Sequence, residues 1–170
     1  MLSDEHKFIL KVIAALKNEA EILETGKIDE KFLRNAIDFI RNYADKLHHA
    51  KEEDILFKEF DKLACEGKTH CNPTQQMLYE HDIGRGFVKN MESGINEKNP
   101  RKIIENALGY CQLLQEHISK EDEVLYPMAD ETIDKKKLEE MYKQFAKIDK
   151  SRISDKTKYE SFAKLSEKRK

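Results

Sequence analysis

The chain has 170 residues, 38% of them charged and 39% hydrophobic, with a formal net charge of −2. A chain of that length buries roughly 70% of the surface its unfolded form exposes, so one domain needs no disulfide or structural staple. Interleaved, nearly balanced charges exclude a nucleic-acid-binding face and an acidic cation sponge, and six Gly, three Pro and no Trp favour an all-α domain over a sheet.

The first helix is predicted over residues 4–24, with Ser3 as N-cap and Ile9, Leu10, Ile13, Leu16, Ala20 and Leu23 as its apolar stripe, on which His6 also falls. Asp4, Glu5, Lys7 and Lys11 interrupt the apolar run, so it is neither a signal segment nor a membrane span, and a cytoplasmic location is expected. Gly26 is the stop. Asp29 then caps the longest helix, where Ile37, Ile40, Ala44, His48, Glu52 and Ile55 share a face. The face carrying His49 also carries Asp38, Asn42, Asp45 and Glu53 and reads as solvated.

After a loop over 67–72, Asn72 and Pro73, with Gln75 in a capping box, open a third helix whose seam is Met77, His81, Gly84, Val88, Met91 and Ile95. Asn99 and Pro100 open a fourth, with Ala107, Tyr110, Leu114, His117, Glu121 and Val124 on one face, and Pro127 kinks or stops it. Residues 134–170 hold two shorter amphipathic patterns, expected to pack outside the bundle, and a solvated tail at Lys168, Arg169 and Lys170. The expected architecture is an up-down-up-down four-helix bundle over 1–131 with a helical extension of the same domain over 132–170. Three cysteines without a C-x-x-C pair suit a reducing compartment better than a disulfide framework.

Short connections make consecutive helices antiparallel, and counting at 1.5 Å per residue puts His6 and His48 at one level, about 28 Å from their shared turn. His81 and His117 match in the same way, and the loop before Asn72 absorbs the offset between His48 and His81. A single histidine on an apolar stripe is ordinarily a hydrogen-bonded core residue. Four at a common level are different, because His48 with Glu52 and His117 with Glu121 are i, i+4 pairs whose buried carboxylates have no designated Lys or Arg. The predicted metal ligands are therefore His6, His48, Glu52, His81, His117 and Glu121, with His49 and His70 outside the centre. Imidazole and carboxylate without thiolate suit iron, manganese or zinc, and two glutamates from opposite helices are placed to bridge two ions.

The segments Glu5-His6, His48-His49-Ala50-Lys51-Glu52-Glu53-Asp54-Ile55-Leu56-Phe57, Met77-Leu78-Tyr79-Glu80-His81 with Arg85, and Glu116-His117 through Glu121 to Pro127 resemble the hemerythrin-like, HHE cation-binding domains. The resemblance spans nearly the whole chain. It implies two non-haem iron ions with an oxide or hydroxide bridge, met by a small diatomic ligand or peroxide and served by an unidentified redox partner, with no nucleic acid or membrane. Whether such a centre binds and senses O2, NO or peroxide or reduces them enzymatically stays open, and a mononuclear or metal-free helical module is the lesser alternative. One departure stands out: hemerythrins proper carry a second histidine one turn along the third helix, where this chain has Arg85. One imidazole fewer would leave an extra open position and bias the centre toward redox chemistry. The family also has an aspartate five residues after the last histidine; Asp122 stands there, but Glu121 has the better helical phase.

Overall fold

The computed structural model describes residues 1–23, 29–69 and 71–169. The expectations for Gly26, His70 and Lys170 fall outside these residues. Every regular element among the described residues is helical: α1 (Leu2–Leu23), α2 (residues 30–65), α3 (Thr74–Asn96), α4 (residues 100–132), α5 (Lys135–Ser151) and α6 (Ile153–Ser166). None is long and apolar enough to cross a membrane.

The helix ends follow local chemistry. Asp29 Oδ1 accepts from Phe32 N at 2.9 Å, Asn99 Oδ1 from Lys102 N at 3.1 Å and Asp134 Oδ1 from Lys137 N at 3.0 Å, each satisfying a donor that the helix leaves free. Asn72 Oδ1 accepts from Thr74 N at 3.1 Å ahead of α3. Two sequence expectations shift at α1: it begins at Leu2, so Ser3 lies within its first turn rather than capping it, and Leu10 faces outward while Val12 is buried.

α2 and α4 are not uniform. Both contain π-helical turns with i→i+5 hydrogen bonds, over Ile40–His49 and Glu52–Leu56 in α2 and over Glu121–Leu125 in α4. The amide of Phe57 bonds to Glu52 O and that of Tyr126 to Glu121 O, so a wide turn begins at each of the two glutamates. Pro127 does not stop α4, which runs on to Thr132. The preceding wide turn also moves Val124 off the buried stripe, leaving it exposed.

Two apolar layers hold the helices together. The larger takes Ile9–Leu23 of α1, Phe32–Leu47 of α2, Val88–Ile95 of α3 and Ile103–Ile118 of α4. The smaller takes Leu2, Leu56–Leu63, Met77 and Leu125–Ile133. Along α1 and α3 the small layer comes first and along α2 and α4 the large one does, so the order reverses from helix to helix. α3 and α4 approach closely at Gly109, where a Cβ would meet the Phe87 ring at 2.7 Å. The C-terminal helices contribute to both layers, α5 through Met141 and Phe145 and α6 through Tyr159 and Ala163. The tail is not free: Arg169 pairs with Glu19 at 2.9 Å and Asp29 at 2.8 Å and lies over the Phe32 ring.

Candidate metal centre

Between the apolar layers lies a polar one. His6, His48, Glu52, His81, His117 and Glu121 are each no more than 2% exposed. They converge in two groups whose candidate ligand atoms lie within 4.8 Å of one another: His6, His48, Glu52 and Glu121, and His49, Glu52, His81 and His117. Glu52 belongs to both. Glu121 also reaches both, with one oxygen 3.0 Å from His117 Nε2 and the other 3.2 Å from His6 Nε2.

His49 overturns an expectation. It is buried rather than solvated, and its ring stacks on His81 at 3.8 Å between centroids. The physical reason is the wide turn over Ile40–His49, whose extra residue per turn shifts the phase of the buried face so that His49 comes inward beside His48. The second histidine missing from α3 is thereby matched by one from α2, so five imidazoles surround the centre and the inference of an extra open position from imidazole count does not stand. Arg85 faces away, with its side chain 40% exposed, and binds Asp45 and Glu53 at 2.7 Å each and Asp82 at 2.8 Å.

Each imidazole has a carboxylate at Nδ1. Glu5 is 3.0 Å from His48, Glu53 2.7 Å from His81 and Glu80 2.8 Å from His117. Asp122 is 3.1 Å from His6 but off hydrogen-bonding angle, and Asp45 is 3.6 Å from His49, in ion-pair range only. Such partners fix the Nδ1–H tautomer and turn Nε2 inward. The inward nitrogens then face one another: His6 Nε2 to His48 Nε2 at 2.9 Å, and His81 Nε2 to His117 Nε2 at 3.0 Å. Glu121 Oε1 and Oε2 and Glu52 Oε2 are buried without a hydrogen-bond partner among the described residues. Lone pairs at that separation repel unless a cation or proton lies among them, so the donor set fits metal ions.

The electrostatics agree. Burial drives His48 down to about 4, and burial together with the charge of His81 holds His49 well below its ordinary value, so both are poised as neutral ligands. His117 goes the other way: burial lowers it, but Glu121 and Glu80 raise it more. Burial and the neighbouring Glu121 push Glu52 well above the carboxylate range, while Glu121 stays ionised because its contacts with His117 and His6 outweigh burial. Glu5 is held well below the carboxylate range despite burial, because His48, Lys51 and Lys156 surround it. Lys51 is fully buried, 2.5 Å from Glu5 and 3.0 Å from Asp149 of α5, and Lys156 of α6 bonds Glu5 at 2.7 Å. Tyr126 stacks on His6 and donates to Glu52 at 2.6 Å.

Tyr110 is buried near His49, His81 and His117, and its hydroxyl finds no partner among the described residues. The five carboxylates escaped sequence reasoning because each backs an imidazole through the fold; only Asp45 and His49 share the i, i+4 spacing that could have signalled a pair. The three cysteines are free, and burial pushes the Cys111 thiol up to about 12.

Searches among curated proteins and among solved structures found no match. A family model described as the hemerythrin HHE cation binding domain matches residues 1–129, a span that holds both histidine groups and ends before α5. The chain belongs to the hemerythrin HHE cation-binding domain family.

Proposed function

We propose that this chain is a hemerythrin-like di-iron protein built on an up-down-up-down four-helix bundle, which binds or senses O2, NO or peroxide. The reading rests on one observation above all: two pairs of inward imidazole nitrogens, each 3.0 Å apart or less, with the buried carboxylates of Glu52 and Glu121 between them. His49, His81 and His117 would hold one ion, His6 and His48 the other, and Glu52 and Glu121 would bridge. Nitrogen and carboxylate donors without thiolate favour iron over softer metals, and bound iron would supply redox equivalents and an open position for a small ligand.

The chain's own residues do the rest. Glu5, Glu53 and Glu80 hold the Nδ1 protons of their histidines, and the two apolar layers keep water from the centre. A second reading, an enzyme that reduces peroxide, O2 or NO with electrons from a redox partner, is favoured by Tyr126, whose hydroxyl keeps a proton at 2.6 Å from Glu52. The exposed free thiols Cys65 and Cys71 favour a reducing, cytoplasmic setting for either reading.

The test is the metal content of protein purified without chelators, followed by its absorption spectrum before and after O2 or peroxide. Two irons per chain with oxygen-dependent charge-transfer bands are expected, and steady-state turnover separates binding from reduction. A single ion per chain, or two that leave the spectrum indifferent to both oxidants, would break the reading.

A further inference from the structure

Beside His49, His81 and His117 lies a cavity of ≈ 110 Å³. Ile40, Val88, Leu113 and Leu114 supply apolar wall, and Tyr110 lines it as well. Tyr110 is 2% exposed, and its hydroxyl has no hydrogen-bond partner among the described residues. A buried O–H without an acceptor is an uncompensated loss, and native structures seldom retain one without a use. Burial, followed by the neighbouring Cys111 and Asp45, pushes this phenol well above its ordinary pKa, so it stays a donor.

The charged groups at the cavity indicate what it would take. Arg41 already binds both oxygens of Glu92, at 2.8 and 2.7 Å, and Arg85 already binds Asp45, Glu53 and Asp82. Asp45 and Glu80 also line the space, so an anion would meet carboxylates and no free guanidinium. A neutral ligand is favoured. Size narrows the choice further: an engineered cavity of about 150 Å³ holds benzene, so on that scale this one holds roughly four or five heavy atoms, more than a diatomic molecule needs.

We propose that this cavity binds a neutral molecule with a compact alkyl body and one oxygen terminus that accepts a hydrogen bond from Tyr110. Short branched alcohols and the alkyl hydroperoxides of the same shape share this chemistry. The alkyl body lies against Ile40, Val88, Leu113 and Leu114, and the oxygen end faces Tyr110 on the histidine side. Binding needs only the cavity; the metal reading matters for what the centre would then do to the oxygen end.

The probe is tert-butanol, which has the shape and the oxygen but no reactive bond, titrated into the protein as purified and followed by saturation-transfer NMR. Metal is assayed on the same sample. Saturable binding is expected, weakened about fivefold by Tyr110→Phe, the loss of one neutral hydrogen bond. Xenon uptake, which needs no hydrogen bond, should be unchanged in Tyr110→Phe, and Val88→Phe should abolish binding of both probes by filling the space. Absence of saturable tert-butanol binding, or equal affinity in wild type and Tyr110→Phe, overturns the proposal. If that happens in protein carrying two irons, the metal reading survives alone; binding in protein that carries no metal upholds the cavity and sinks the metal reading.

Discussion

The two halves of the candidate metal centre are built on similar donors but backed differently. Behind His48 the buried Glu5 and Lys51 meet the partly exposed Asp149 of α5 and Lys156 of α6. Behind His49 and His81 stands Arg85, a half-exposed guanidinium shared by Asp45, Glu53 and Asp82 at the surface, and the same side borders the cavity at Tyr110. The ring of His48 is held by charges that little water reaches, those of His49 and His81 by charges that water screens. Equal distances therefore carry unequal energies, and the orientation of His48 depends on helices beyond the family-matched span while that of His81 does not.

The largest effect that probes this contrast is Lys51→Met. Removing one partner of a buried ion cluster costs about 3–5 kcal/mol, which for a chain of this size lowers Tm by roughly 10 °C. Arg85→Ala should cost about 1 kcal/mol or less. Equal thermal losses in the two variants would erase the distinction. Next comes metal content: His49→Ala should weaken the ion of its half more than about 100-fold, beyond what outer partners usually contribute. Retention of two ions would reduce His49 to a ring stacked on His81.

A pH series on metal-free protein sharpens the comparison, because His48 and His117 shift in opposite directions. His48 folds with its pKa lowered to about 4, so the unfolded state binds the proton first, and stability is lost as pH falls from about 6.5 to about 4. His117 folds with its pKa raised; its contribution is present below about 6.5 and is lost as pH rises through the folded value. Urea midpoints should thus show a shallower acid-side slope in His48→Gln, where His49 still contributes, and a weaker opposing slope in His117→Gln. Identical profiles for the two variants would refute the assignment. The smallest effect is on affinity: Arg85→Ala, which releases Glu53 from its cation, should weaken metal binding by about tenfold, measured by competition with a chelator.

How much of this was legible beforehand follows from where each partner lies. His48 with Glu52 and His117 with Glu121 are one turn apart on a single helix, so spacing alone brings each pair to one face, and the stripes that carry His6 and His81 point them to the same layer. His49 was not legible, because its inward turn depends on i→i+5 bonding and nothing in the surrounding run of Asp45, Lys46 and Glu53 looks buried. Glu5, Glu53, Glu80 and Asp122 were hidden for another reason: each serves a histidine on a different helix, and that proximity exists only after packing.

The wide turns that start at Glu52 and Glu121 have a consequence for how the molecule breathes. A π turn is a poor competitor of the α-helix, and under the proposed function it persists because its leading carboxylate serves the centre. Without a cation, buried oxygens of both glutamates are unpartnered, so the reason for the wide geometry is weakest in the metal-free chain. Amide hydrogens of Glu52–Leu56 and Glu121–Leu125 should then exchange ahead of the helical turns on either side, and metal should slow these two stretches far more than the rest. Loading would act as a local clamp on two short segments, leaving the apolar layers above and below to exchange at nearly the same rate with or without the ions.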